Sequence, residues 1–190
     1  TVQSQFAMIT QKYLSDFGYS RDDLSFITIN SHKNGIANET AQFRSELDIN
    51  KINSSPFIAD PIKALDCSAY CDGASAIILC SDDAAEKSKG KVLGYLLGSS
   101  IASMPISLSK RKSITRIDST SNAAAEAYKK AGISPKDIGL IEAYDIVPIS
   151  GVLSIEGMGF AEEGKGIEFI KNNPKAVNLS GGLKSCGHAI

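Results

Sequence analysis

The chain has 190 residues, of which 43% are hydrophobic, and its formal net charge is −1 at pH 7. This length suffices for one domain with a substantial core or for parts of two. The near balance of charges gives no electrostatic reason to expect nucleic acid or an anionic membrane as a partner, and the longest apolar run, residues 74–80, is far too short to cross a bilayer.

The four cysteines are scattered along the chain and lack the spacing of a metal site. No metal is therefore expected, and reduced cysteines in a soluble, cytoplasmic protein are the simplest interpretation. The chain opens without a basic segment followed by an apolar one, so no signal peptide is predicted. Cys80 lies inside an apolar run and is expected to pack as a small hydrophobic residue.

The N-terminal part of the chain predicts a helix followed by less regular structure. Apolar residues at three- and four-residue spacings predict an amphipathic helix over Val2–Tyr19, which Gly18 can end. Ser20 then begins another capped turn. Residues 31–42 lack periodicity and predict a polar loop, and residues 49–62, which contain prolines and serines, predict a connector.

Apolar runs alternate with helical patterns in the middle of the chain. Residues 74–80 and 92–99 predict buried strands, with a short helix beginning at Asp82 between them. An alanine-rich pattern predicts a helix over residues 119–132, with Ser119 or Ser121 as its cap and Gly132 at its end.

The last part of the chain continues this alternation. Residues 138–143 predict a buried strand, residues 147–160 predict a helix with Leu153 and Met158 facing inward, and residues 177–179 predict a final short strand. The alternation predicts an α/β layered architecture. The connector and the renewed strand near Val92 indicate that two lobes meet in this region.

Three segments hold polar, glycine and histidine residues at distinctive spacings. They are residues 30–44 (NSHKNGIANETAQFR), residues 59–74 (ADPIKALDCSAYCDGA) and residues 178–188 (NLSGGLKSCGH). They resemble the motifs NHxNAxxNPxAQFR, ADPLxxLDCSxxSDGAAA and NPSGGLxxxGHPxGATG of the thiolase family, most closely those of its sterol-carrier-type and archaeal acetyl-CoA acetyltransferase branch. The order and approximate separations match, so the resemblance covers almost the whole chain.

The resemblance implies a layered αβαβα thiolase fold that is incomplete in this chain. Residues 1–90 would hold the end of its first half, and residues 91–190 would hold most of its second half, up to the Gly-His turn. The parent protein would be an acyl-CoA C-acyltransferase with a coenzyme A thioester as substrate and no covalently bound cofactor. It would act as a homo-oligomer, or this chain would join the remaining thiolase segments.

His188 is the first catalytic candidate. A histidine on a glycine-rich turn suits proton transfer, because its pKa lies close to neutral pH. By resemblance it would activate a nucleophilic cysteine and help to form an oxyanion hole. A histidine whose ring is simply satisfied by backbone in a tight turn is the alternative. The glycines at 181, 182 and 187 would let the backbone approach the substrate without a Cβ in the way, so Gly181, Gly182 and Gly187 are expected in the substrate site.

Tyr144 is the second catalytic candidate. The segment EAYDIV at residues 142–147 is similar to EVHDxF, or to NEAF in the biosynthetic branch, where His or Asn orients an oxyanion-hole water. A phenol donates one hydrogen bond but cannot copy the geometry of an imidazole or an amide. Ala189 also replaces the proline that follows the family's histidine. Both departures leave open a degenerate, non-catalytic subunit that binds an acyl-CoA or a partner protein.

Two further expectations follow from the family pattern. The nucleophilic cysteine and the second, carbanion-forming cysteine would lie before Thr1 and beyond Ile190, so this chain is expected to be inactive alone. Cys186 is the weaker alternative as nucleophile. His32 and Asn34 fall in a segment that lies near the pantetheine channel in the family; they would contact coenzyme A, or they would be an ordinary loop histidine and turn asparagine.

Overall fold

The computed structural model describes residues 1–88 and 90–189 and has many helices and small sheets. The helices are α1 (Val2–Phe17), α2 (Arg21–Gly35), α3 (Ile49–Ser54), α4 (Asp82–Ser88), α5 (Asp118–Ala131), α6 (Pro148–Gly157), α7 (Gly166–Asn172) and α8 (Gly182–Cys186). The strands are β1 (Phe57–Ala59), β2 (Ile62–Lys63), β3 (Tyr70–Cys71) and β4 (His188–Ala189). β1 and β2 pair antiparallel, whereas β3 and β4 pair in parallel.

The predicted first helix is confirmed, with its ends where the sequence places them. Gly18 ends α1 in the left-handed conformation, at φ 73°, which costs a glycine little because it has no Cβ. The side chains and backbones of Ser20 and Asp23 then form a reciprocal capping box at the start of α2. These caps end α1 and start α2 within the short connection at residues 18–20.

The predicted loop over residues 31–42 is wrong in its first part, because α2 continues through Gly35. The polar side chains there are largely buried rather than solvated: Ser31 and His32 are 3% and 5% exposed. They hydrogen-bond to other segments of the chain. Their polarity therefore marks the buried face of a helix.

The core lies between α1, α6 and α7. Val152 and Ile155 of α6 are completely buried, as are Tyr13 of α1 and Ile167 of α7. The Tyr13 hydroxyl donates a hydrogen bond to the Glu156 carboxylate, which satisfies the polar end of a buried ring. Helices from both ends of the chain thus share one hydrophobic core, which holds the later elements in place.

The predicted inward face of α6 is confirmed at Leu153, which is 2% exposed, and Met158 is half-buried against the same core.

The connector predicted over residues 49–62 is more regular than expected. Asp48 accepts a hydrogen bond from the Lys51 N–H and caps α3, and β1 follows it. Asp is a favoured N-cap residue, so Asp48 could have predicted the start of this helix, but the serines and prolines that follow suggested a loop.

The buried strands predicted over residues 74–80 and 92–99 are wrong as local structure in this chain. Ile78 and Leu93 are 92% and 88% exposed. Among the residues that the structure describes, no backbone-to-backbone hydrogen bond reaches residues 72–80 or 91–104. Cys80 is exposed as well, and so is not packed as predicted. A continuous apolar run indicates a strand covered on both faces, but such a strand forms only beside partner strands.

The predicted alanine-rich helix is confirmed as α5, which ends at Gly132, but its predicted serine caps are not used. The helix begins at Asp118, with Ile117 at the cap position and no side-chain cap bond.

Only one parallel bridge, between Ile141 and Val177, forms among the described residues where strands were predicted over residues 138–143 and 177–179. No helix within the described ranges has the length and apolarity needed to span a membrane.

Candidate active site

Two short parallel pairings position the site. In the first, Ile141 pairs with Val177, and the Ile141 N–H and carbonyl each make a backbone hydrogen bond of 2.8 Å. Parallel segments end at the same edge. Tyr144, which follows the first segment, therefore emerges beside the turn that begins at Ser180.

In the second pairing, β3 aligns with β4. Tyr70 lies opposite His188, and the His188 N–H donates to the Ala69 carbonyl at 2.7 Å. The loop after α2 joins the same turn, because the Phe43 N–H donates to the Ser185 carbonyl at 2.9 Å and the Ser185 hydroxyl donates back to the Phe43 carbonyl. All three motif segments therefore converge on the turn that ends at His188.

The structure brings Tyr144 and His188 into contact. The phenolic oxygen of Tyr144 lies 3.4 Å from Nε2 of His188, and the two rings meet edge to face, with centroids 5.7 Å apart and planes at 77°. Tyr144 is 48% exposed, and partial burial raises the pKa of its phenol. A protonated phenol and an imidazole thus face the surface together, as a donor and a group able to take a proton.

Asp145 follows Tyr144 in the chain and is 2% exposed. Its Oδ1 accepts the Leu183 N–H at 2.6 Å and the Lys184 N–H at 3.3 Å, and its Oδ2 accepts the Ser31 hydroxyl at 3.2 Å. Burial raises the pKa of Asp145 to about 6, although these bonds and the Asn178 amide oppose the rise. The carboxylate caps the N-terminus of the short α8, whose last residue stands just before the Gly-His turn.

His32 is held inside the structure. Its Nδ1 lies 3.2 Å from the Ser45 carbonyl, which can only accept, so Nδ1 carries the proton. The ring stacks on Phe43 with centroids 5.5 Å apart. Burial first, and then the charge of Lys184, lower the pKa of His32, which favours a neutral ring. Its buried Nε2 has no hydrogen-bond partner among the described residues.

Asn34 ties α2 to the segment before the glycine turn. Its amide nitrogen contacts the carbonyls of Pro174, Val177 and Asn178 at 3.0, 3.3 and 3.1 Å. The two amide hydrogens are shared among these three backbone carbonyls, near the parallel bridge at Val177. The Asn34 side chain therefore has a structural role: it holds α2 against the segment before the glycine turn.

The fold itself requires glycine at positions 181, 182 and 187, for reasons that the sequence alone did not reveal. A Cβ on Gly182 would overlap the Asp145 carboxylate, one on Gly181 would meet the side chain of Ser185, and one on Gly187 would meet the Cys71 thiol. All three glycines also have positive φ, at 101°, 60° and 97° in chain order. Close packing of the chain on itself thus requires glycine at each position.

Cys186 is poorly placed to act as a nucleophile. Its thiol donates to the Ser180 carbonyl at 3.4 Å and accepts from the Asn38 amide at 3.4 Å. Burial, the largest effect, raises its pKa. A thiol that is held protonated attacks slowly, because the thiolate is the reactive form.

Sequence reasoning missed two buried charged residues at the site, Asp145 and Lys184. Lys184 is 3% exposed, and its Nζ lies 4.8 Å from the centre of the Phe43 ring. Burial lowers the pKa of Lys184 to about 8. Asp145 directly follows Tyr144 in the segment 142–147, and Lys184 lies within the segment 178–188; their positions beside the candidate residues were the available signal.

Comparison with known proteins gives a consistent result. Residues 100–190 match the family described as thiolase C-terminal domain-like. Acetyl-CoA acetyltransferases of Methanothermobacter thermautotrophicus and Methanocaldococcus jannaschii are 37% and 35% identical over the whole chain, which covers 51% of each. Human sterol carrier protein 2 is 27% identical over 97% of the chain, which covers 36% of that protein. The chain spans about half the length, or less, of these curated relatives.

Solved structures agree on the fold. A structure titled Ltp2-ChsH2(DUF35) aldolase superposes with a TM-score of 0.88 at 22% identity, over 98% of this chain and 52% of that one. Human mitochondrial 3-ketoacyl-CoA thiolase superposes with a TM-score of 0.70 at 19% identity, over 96% of this chain and 48% of that one. The architecture is therefore part of a thiolase-like α/β fold, as the sequence predicted.

Proposed function

The chain belongs to the thiolase family, and on that premise we propose that its parent protein is an acyl-CoA C-acyltransferase, with Tyr144 and His188 in the catalytic site. The reaction is a Claisen condensation of two coenzyme A thioesters or its reverse, the thiolysis of a 3-ketoacyl thioester. The observation that carries this proposal is the 3.4 Å contact between the Tyr144 oxygen and His188 Nε2.

Each residue has a definite task in this chemistry. Condensation needs a group that takes a proton from a thiol and donors that face the developing oxyanion. His188 would accept the proton and then donate to the oxyanion, and the Tyr144 hydroxyl would supply the donor that His or Asn provides in relatives. A 3.4 Å separation is long for a hydrogen bond, but such contacts tighten once substrate is bound.

The proposal assigns no nucleophile to this chain. The hydrogen bond of the Cys186 thiol to Ser180 and its raised pKa argue against Cys186 as the nucleophile. Burial also raises the pKa of the Cys67 thiol. The family's nucleophilic and carbanion-forming cysteines would come from the rest of the parent protein. The chain alone would therefore have no thiolase activity.

We place the coenzyme A substrate beside the glycine turn. Gly181, Gly182 and Gly187 would line it with backbone, and His32 and Asn34 would stand near the pantetheine arm. The Nε2 of His32 supports this placement, because it is a buried acceptor without a hydrogen-bond partner among the described residues. Asn34, whose amide is already bonded to three carbonyls, would act through the backbone that it holds.

The chain would also need partners. The apolar runs at residues 74–80 and 92–97 expose residues that are typical of central strands. We propose that remaining thiolase segments, or another copy of the chain, supply the adjacent strands. The division into residues 1–90 and 91–190 and the cytoplasmic location stay predictions.

The alternative is a non-catalytic thiolase-like subunit that binds an acyl-CoA or a partner protein. One observation favours it: the segment at residues 142–147 has Tyr144 where the family motif that it resembles has His or Asn. In that case Tyr144 would only fill the oxyanion pocket. Ligand binding would survive its loss, and no condensation would occur in either direction.

A single assay separates the two functions. The parent protein is mixed with acetoacetyl-CoA and free coenzyme A, and loss of enolate absorbance is followed. Turnover that falls by about a hundredfold or more in His188→Gln, with acyl-CoA binding retained, is the result expected of the enzyme. Binding without turnover in the unaltered protein would establish the alternative instead.

A further inference from the structure

The carboxylate of Asp145 joins three separate elements at one buried point. Through Oδ2 it accepts from Ser31 in α2, and through Oδ1 it accepts from Leu183 and Lys184 in the first turn of α8. The residue itself follows the segment that pairs with Val177. A single side chain therefore sets the distance between α2, the end of that segment and α8.

The two members of the Tyr144–His188 contact are both attached to this point. Tyr144 is the chain neighbour of Asp145. His188 follows α8, which ends at Cys186 and whose N-terminal amides are held by the carboxylate. Because a short helix is rigid, fixing its start fixes the position from which the Gly-His turn departs.

Asn178 completes the arrangement from the opposite side. Its Oδ1 accepts the Ala143 N–H at 2.6 Å, and its amide faces the Asp145 carboxylate. The residue sits in the left-handed region at φ 51°, which Asn and Asp tolerate better than other side chains. Gly182 closes against both groups with no room for a Cβ.

We propose that Asp145 is a positioning residue that sets the relative placement of Tyr144 and His188. The catalytic part of this inference rests on the proposed function, but the placement itself does not. Asp145 touches neither ring nor substrate; it acts by holding the two segments that carry them. A carboxylate suits this task because both of its oxygens only accept, and donors reach it from Ser31, Asn178, Leu183 and Lys184.

A single variant that removes the carboxylate, and a double variant that moves it to residue 178, test the positioning role of Asp145. In Asp145→Asn, one oxygen becomes an NH₂ group that confronts the Asn178 NH₂, so that a donor faces a donor. In the double variant D145N/N178D, residue 178 again accepts from the Ala143 N–H and now also accepts from residue 145. The Ser31 hydroxyl can accept instead of donating. The double variant thus restores the complementarity that the single variant breaks.

Asp66 provides a matched control. It is 4% exposed, accepts from Arg21 at 2.6 Å and from the Lys63 N–H at 2.9 Å, and has no hydrogen bond to α8 among the described residues. Asp66→Asn also breaks buried carboxylate bonds. Any effect that only reports lower stability should appear in both Asp145→Asn and Asp66→Asn.

The first readout is the ring of His188 itself. The chain holds two histidines, so selective isotope labelling of its histidine rings gives two sets of nitrogen signals by NMR, assigned with His188→Gln. Tyr144→Phe defines the signals of a His188 ring without its phenol. We expect Asp145→Asn to move the His188 signals toward those of Tyr144→Phe, D145N/N178D to return them, and Asp66→Asn to leave them in place.

The second readout is turnover by the parent protein. Because misplacement of a catalytic group by about 1 Å costs about a hundredfold, Asp145→Asn should lower kcat by about that factor with little change in KM. The double variant should recover most of the loss. The ring signals are measured without substrate, so a parent that lacks thiolase activity would refute the proposed function and leave this test intact. His188 signals unchanged in Asp145→Asn, or equally changed in Asp66→Asn, would overturn the positioning role.

Discussion

The phenolic oxygen of Tyr144 stands 3.4 Å from Nε2 of His188, although the two residues are 44 positions apart in the chain. The contact forms because the segment before Tyr144 and the segment before the glycine turn pair in parallel and end at the same edge. Asp145 then caps α8, which leads to His188.

Gly182→Ala should be much more damaging than Gly18→Ala. Both glycines have positive φ, at 60° and 73°, but a Cβ at Gly18 meets nothing within 4 Å, whereas one at Gly182 overlaps the Asp145 carboxylate. We expect Gly18→Ala to cost about 1 kcal/mol from its backbone conformation alone. Gly182→Ala should cost at least about 1–3 kcal/mol more, because the cap on α8 must also give way. Denaturant unfolding of both variants measures the difference, and equal losses would contradict the packing described.

The buried carboxylate of Asp145 should make stability depend on pH in an unusual direction. Burial raises its pKa from 3.8 to about 6 in the folded chain, so the folded state binds more protons than the unfolded state between these values. Its contribution to stability is therefore fully present below pH 3.8 and is lost as pH rises through about 6. The size is on the order of 3 kcal/mol.

Asp145→Asn provides the comparison. The free energy of unfolding of the unaltered chain minus that of the variant should rise on acidification from pH 7 to pH 4, since other titrating groups cancel in the difference. Lys184, whose pKa is lowered to about 8, and Cys186, whose pKa is raised by burial, interact with the charge of Asp145, and both titrate above this window. A difference that stays flat, or falls on acidification, would show that the carboxylate is better solvated than its burial indicates.

The exposed apolar runs should govern association and leave the stability of the core unchanged. Ile78 is 92% exposed and Leu153 is 2% exposed. Ile78→Lys should lower binding of a hydrophobic dye and reduce self-association, with thermal stability changed by no more than about 0.5 kcal/mol. Leu153→Lys, the matched control, should unfold the chain. A loss of stability in Ile78→Lys comparable to that control would mean that this run packs within the chain.

Cys186 should be unreactive despite its place near the histidine. Its thiol is bonded to Ser180 and Asn38, whereas Cys80 is exposed. In the isolated chain, a limiting amount of iodoacetamide should label Cys80 first and Cys186 much later, as peptide mass spectrometry would measure. In the parent protein, Cys186→Ser should keep turnover near the original rate. Turnover abolished by that change would instead make Cys186 the nucleophile.

Local signals predicted the helices well. The capping box at Ser20 and Asp23, the glycine at position 18 and the apolar periodicity of α1 and α6 depend on residues a few positions apart, and each appears where the sequence placed it. The family motifs made Tyr144 and His188 separate catalytic candidates, and the structure places their side chains in contact.

Other features depend on groups that local patterns do not describe. The runs at residues 74–80 and 92–99 have the composition of buried strands, but a strand also needs neighbours to bond, and none lies among the residues described. Conversely, the polar residues Ser31 and His32 looked like a loop because their partners, Asp145 and Ser45, are distant in sequence. The same distance concealed Asp145 as the centre of the site.

The most direct test of the account is the rate of acetoacetyl-CoA cleavage by the parent protein carrying Tyr144→Phe, beside Tyr144→His. If the phenol donates to developing charge, its removal should slow kcat by about a hundredfold or more, because a donor aimed at an oxyanion is worth about that much. Tyr144→His, which introduces the histidine of the motif EVHDxF that this segment resembles, should keep or raise the rate. An active parent whose rate is indifferent to Tyr144→Phe would contradict the role assigned to this residue.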